Sequence, residues 1–188
     1  MRDEREHAYY FAEGIDGNGK QIPNITADPA LALWASYNGE CIIDREFIPH
    51  VVDRVLQPDM FDQHAGIRTY SVNSVPVVGE DNYHKGPNTF WPHISGMIAR
   101  GMEEFGYHKP ANEILRASLG RVNSFGSCIE MFLKGSKGEY SRWKNPGSDQ
   151  VSSSDQAWTA GVAYYGVAKL IIDDGLKIAA ERSGVRAA

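Results

Sequence analysis

Cysteine is scarce in this chain of 188 residues: Cys41 and Cys128 are the only two, and neither belongs to a Cys-x-x-Cys pair. That excludes a disulfide-rich scaffold and a thiolate metal cluster, and it predicts two reduced, packed thiols, with a single Cys41–Cys128 disulfide as the alternative. Long apolar runs are missing as well. The opening Met-Arg-Asp-Glu-Arg-Glu-His is charged where a secretory signal needs an apolar core, so the expectation is a soluble, cytoplasmic protein with no membrane partner. In that setting the acceptor pattern Asn24-Ile25-Thr26 carries no glycan. Positive charge is not in excess either; at a net charge of -5 there is no basic footprint for counterion release, which argues against nucleic acid as a partner.

Several chemistries lack their residues. The glycines of Gly14-Ile15-Asp16-Gly17-Asn18-Gly19 follow neither the dinucleotide-binding nor the P-loop spacing. No Gly-x-Ser-x-Gly elbow occurs, which leaves serine hydrolysis unsupported. The histidines at 7, 50, 64, 84, 93 and 108 form no helical pair that would put two imidazoles on one ion. No metal or other cofactor is therefore expected.

What is present is an ordinary globular composition, 42% apolar and 23% charged, in a length suited to one domain with a real core. Residues 1–27 read as a hairpin or an extended lead-in. Thr26 or Asp28 caps a short buried helix with Pro29 in its first turn and Leu31, Leu33, Trp34 and Tyr37 on its apolar side, stopped by Asn38-Gly39. A second helix starts near Asp44 and ends at Pro58, a third runs from Trp91-Pro92 to Gly106, a fourth follows Lys109-Pro110, and a fifth begins near Asp155. The tail at 179–188 is expected to fray. Between these helices lie two long irregular stretches, 59–88 and 124–154, of the length that is commonly functional. The pattern predicts an all-α fold of helical hairpins whose long loops gather at one end.

The candidate chemistry sits in those loops. Tyr83-His84-Lys85-Gly86-Pro87-Asn88-Thr89-Phe90-Trp91-Pro92-His93 places aromatic rings and imidazoles directly ahead of a helix, which suits a ligand with polar groups and apolar C–H faces, above all a sugar, or else anchors the helix entry. Arg68, beside Tyr70, either contacts ligand or pairs with a carboxylate to pin its loop. Glu130 is set inside the apolar run Cys128-Ile129-Glu130-Met131-Phe132-Leu133, and a buried carboxylate is either neutralised by a structural partner or kept as a working acid or base. Glu139, in Gly138-Glu139-Tyr140, is a second candidate. Carboxylates beside aromatic rings are the equipment of glycoside hydrolysis.

These pieces, in this order, resemble one family. Tyr83-His84-Lys85-Gly86 with Trp91-Pro92-His93 resembles the Tyr-His-x-Gly, Trp-Pro signature of the amylo-alpha-1,6-glucosidase (glycogen debranching) type of glycoside hydrolase. Gly66-Ile67-Arg68-Thr69, Ile129-Glu130-Met131-Phe132 and Gln156-Ala157-Trp158-Thr159-Ala160-Gly161 are similar to its flanking segments. The resemblance spans about residues 10–166 and implies the later part of an (alpha/alpha)6 toroid. It implies Glu130, or alternatively Glu139, as the catalytic base of an inverting hydrolysis of alpha-linked glucosides, with Tyr83, His84, Trp91, His93, Arg68 and Trp158 at the sugar. The family's general acid, an aspartate, belongs to a part of the toroid ahead of the matched segment and is assigned to no residue here. Two departures stand out: a longer spacing from Gly86 to Trp91, and Ile94 where relatives commonly carry an acid. The implied partners are an oligosaccharide or alpha-glucoside substrate and a second copy or complementing chain to complete the ring. A non-catalytic carbohydrate-binding or oligomerising module derived from such an enzyme is the competing expectation.

Overall fold

The computed structural model of the chain describes residues 2–3, 8–74 and 86–183. Its architecture is mixed α/β, with helices and small antiparallel sheets, which corrects the expectation of an all-α fold of helical hairpins forming part of an (alpha/alpha)6 toroid. Among the described residues five α-helices are joined by short antiparallel ladders: α1 (Asp28–Leu31), α2 (Ile48–Val55), α3 (Pro92–Glu104), α4 (His108–Phe125) and α5 (Ala157–Ser183). The two-stranded ladders are β1 (Arg2–Asp3) with β2 (Ala8–Tyr9), β3 (Gly14–Ile15) with β4 (Gln21–Ile22), β5 (Ser36–Tyr37) with β6 (Glu40–Cys41), and β7 (Phe61–Asp62) with β8 (Gly66–Ile67). A three-stranded sheet has the order β11 (Tyr140–Arg142), β10 (Phe132–Lys134), β9 (Thr89–Phe90). Every strand is two or three residues long, too short to display the period-2 alternation by which a strand is recognised from sequence.

The helix expected to reach Tyr37 ends at Leu31 instead. Asn38 and Gly39 both take positive φ, 52° and 75°, the backbone of a type I′ turn, so Asn-Gly closes the β5–β6 hairpin rather than stopping a helix. Local signals set the later boundaries. Pro92 occupies the first turn of α3. At the far end Gly106, at φ 84°, lets its N–H reach Glu103 O and that of Tyr107 reach Met102 O, a Schellman closure. Gly126, at φ 67°, ends α4 in the same left-handed conformation.

The main core gathers Leu33, Val52, Met60, Ile67, Ile98, Met102, Ile114 and Leu115, all buried, under α1 to α4. A smaller core, Ala65, Phe90, Ile129 and Phe132, fills the space beneath the three-stranded sheet, where Phe90 and Phe132 stack with centroids 5.3 Å apart. Helix α3 is central: it packs against α1, α4 and α5. It comes close because it carries glycine where the neighbours touch. A Cβ on Gly96 would lie 2.3 Å from Val162 Cγ1, and one on Gly101 would lie 2.5 Å from the backbone N of Trp34.

The obstruction at Gly101 is backbone, so Gly101→Ala should force α1 off α3 and lower stability by about 2 kcal/mol. Gly175→Ala, at a helical site with nothing within 4 Å, should raise stability by about 0.5–1 kcal/mol. Urea unfolding midpoints check both.

Candidate functional site

Three sequence-distant segments meet at the amino ends of α3 and α5. Trp91 holds an extended backbone just ahead of α3, and His93 follows within its first turn. The Trp91 and His93 rings meet edge to face at 4.2 Å. Trp158, the second residue of α5, closes the cluster at 5.0 Å from His93 and 6.2 Å from Trp91. His93 is buried, whereas Trp158 is 58% exposed. A buried imidazole and an exposed indole at one opening combine hydrogen-bonding capacity with an apolar platform, the equipment of a site for a polar ring.

The segment carrying Glu130 is bound to the entry of α5. Glu130 N–H donates to Ser153 O at 2.9 Å, Gln156 N–H to Cys128 O at 2.8 Å, and the Thr159 hydroxyl to Ile129 O at 2.9 Å. Ser152 Oγ adds a bond to Met131 O at 2.8 Å. Glu130 itself is 8% exposed, and its Oε2 accepts the Ser153 N–H at 2.7 Å. A charge-assisted bond from a backbone N–H orients a carboxylate. Ile129, next to Glu130, is thereby bonded to Thr159, next to Trp158.

Arg68 and Glu139 fall elsewhere. The Arg68 backbone bridges to Phe90 and Thr69 N–H donates to Thr89 O, so this segment runs beside the Trp91 strand. Its guanidinium, however, turns to Asp62 at 3.0 Å and to Pro58 O at 3.2 Å, over the face of Phe90. Asp62 also accepts from Lys134 Nζ at 2.5 Å, Tyr140 Oη at 3.2 Å and His64 N–H at 2.9 Å. Glu139 lies exposed on the β10–β11 turn, where it accepts the Lys137 N–H at 3.0 Å. Tyr83 and His84 lie outside the described residues.

Sequence reasoning missed two features. Asp62 was silent because an aspartate in an irregular loop has no pattern to mark it. Trp34, read as core, is 50% exposed and lines a cavity of about 500 Å³ with His93, Met97, Trp158, Val162 and Tyr165. It stands three residues beyond the end of the four-residue α1, a boundary invisible in composition. Tyr165 donates to Glu103; burial, then this bond to a carboxylate, raises its phenol well above the ordinary tyrosine range.

Among the described residues no group of three His, Cys, Asp or Glu is placed to hold a metal ion, and no helix is long and apolar enough to cross a membrane. Cys41 and Cys128 are free thiols. The chain matches no protein-family model and no curated protein.

Burial alone would push the Asp62 carboxyl up, but the bonds from Lys134 and His64 N–H and the charges of Lys134 and Arg68 outweigh it and hold it below the ordinary carboxylate value. A depressed folded pKa means stability that is present above the unfolded value near 3.9 and lost as pH falls through the folded one. Asp62→Asn should therefore cost about 3 kcal/mol at neutral pH, with the gap to wild type closing below about pH 4. Denaturant unfolding over a pH series checks this.

Proposed function

We propose that this chain acts on alpha-linked glucosides as the base-bearing part of an inverting glycoside hydrolase. The observation that carries the reading is the convergence of three segments far apart in sequence, each of them part of the family resemblance: Trp91 to His93, Ile129-Glu130, and Gln156 to Thr159, the last two joined by the bonds from Gln156 N–H to Cys128 O and from the Thr159 hydroxyl to Ile129 O. Glu130 is the general base. Its carboxylate takes a proton from water as the water oxygen bonds to the anomeric carbon, and the bond to the leaving oxygen breaks. That oxygen takes its proton from a separate acid, a role given to no residue of this chain. Trp158 and Trp91 supply faces for the sugar's C–H groups, and His93 a hydrogen-bonding edge. Free cysteines accord with work in the cytoplasm.

A second reading, a module that pairs with its own copy, is favoured by the outer face of α5. Tyr164, Val167, Ile171, Ile172, Leu176 and Ile178 are between 49% and 82% exposed, and the small residues Ala160, Ala168 and Gly175 lie among them without a charge. Such a face is self-complementary: two copies related by a two-fold axis bury it without stranding an ion. Ile171→Glu should convert a dimer to a monomer in sedimentation.

Alpha-glucosyl fluoride tests the hydrolytic reading directly, because fluoride leaves without protonation and the base alone suffices. The expected result is fluoride release with formation of beta-glucose, reduced about 10²- to 10⁴-fold in Glu130→Gln. No turnover by the wild-type chain, or equal turnover by the variant, overturns it.

A further inference from the structure

The cavity beside the aromatic cluster has a shape and lining that the reaction at one sugar does not use. It runs along the groove between α3 and α5, from His93 and Trp158 at one end to Arg100 and Tyr165 at the other. Arg100 lies seven positions after His93 on α3, so the groove is about 10 Å long. One wall is Trp34, half exposed although its neighbour Leu33 is fully buried in the core; the opposite wall is Val162 and Gly161. Met97 lies between them. Leaving two large indoles, Trp34 and Trp158, half in water at the rim of one groove forgoes the stabilisation that burying them would bring. An occupant with apolar faces recovers it.

We propose that this groove holds a second sugar ring of an oligosaccharide, with Trp34 as its stacking platform, next to the ring held at Trp91, His93 and Trp158. The inference rests on the glycoside reading above and gives that site a second ring position, placed by the residues that line this groove. Three observations support a sugar over a wholly apolar guest. The groove is continuous with the aromatic cluster, since His93 and Trp158 line both. Its far end is polar: the Arg100 guanidinium, which pairs with Glu103 and Glu104, supplies donors, and the Tyr165 oxygen, whose proton goes to Glu103, an acceptor for ring hydroxyls. Its wall is kept low by glycine: a Cβ on Gly161 would meet nothing within 4 Å, so that position is open space given over to the groove rather than to helix packing.

Because Gly161 faces open space, a side chain there fills the groove without a clash, and Gly161→Leu is a block that does not depend on the core. Calorimetric titration with maltotriose and with glucose, on wild type, Trp34→Ala, Trp34→Phe, Gly161→Leu and Trp158→Ala, tests the proposal. The expected result is that the preference for maltotriose over glucose falls about tenfold in Trp34→Ala and in Gly161→Leu. Trp34→Phe, which keeps an aromatic face, should retain most of it. Trp158→Ala should weaken both ligands. If Trp34→Ala and Gly161→Leu keep the full preference while Trp158→Ala loses binding, the second ring is not in this groove and the glycoside reading stands. If wild type binds neither sugar and does not turn over alpha-glucosyl fluoride, the glycoside reading and this inference fall together.

Discussion

The close approach of α3 to its neighbours at two glycines governs the rest of the molecule. At Gly96 the helix meets Val162 of α5, and at Gly101 it meets the backbone of Leu33 and Trp34; any side chain at either position would push the partner away. His93 lies three residues before Gly96, and Trp158 lies four before Val162, so each stands one turn ahead of the crossing. The 5.0 Å separation of their rings follows from that crossing. The contact at Gly101 brings Trp34 to the same groove from the other side. Two missing side chains thus set the width of the proposed site.

A second constraint is polar. Asp62 gathers Arg68, Lys134, Tyr140 and the His64 N–H, which come from the β7–β8 hairpin and from both long strands of the three-stranded sheet. Around it the Phe90–Phe132 stack ties the strand that leads into Trp91 to the strand that follows Glu130. Loops of this length without regular structure would lose too much conformational entropy on ordering; a buried carboxylate with four donors and a small aromatic core offset that loss. Arg68 belongs to this framework. It supports Trp91 through the backbone beside Phe90, while its charge is used on Asp62.

The candidate segments are legible in the sequence without their arrangement. Trp91-Pro92-His93, Glu130 and Trp158 stood out because aromatic and carboxylate residues at helix entries and inside apolar runs are unusual, and the structure gathers their segments through ladders of backbone bonds such as Glu130 N–H to Ser153 O and Gln156 N–H to Cys128 O. The fold class was not legible. Ladders of two or three residues are made by hairpin geometry and by tertiary pairing, and Ser36–Tyr37 differs from a helix end in sequence only through the conformation that Asn38-Gly39 adopts.

What the sequence by itself determined is therefore local: Pro92 opening α3, Gly106 and Gly126 closing α3 and α4, the apolar face of α2, and the order of the motif segments along the chain. These rest on φ preferences, caps and periodicity, which act within a few residues. The tertiary structure alone decided that Trp34 faces a groove, that Arg68 turns to Asp62, that Glu130 takes the N–H of Ser153, and that the outer side of α5 stays apolar and exposed. Each of those outcomes depends on which distant residue arrives at contact distance, and distance in space between far-apart positions leaves no trace in local pattern.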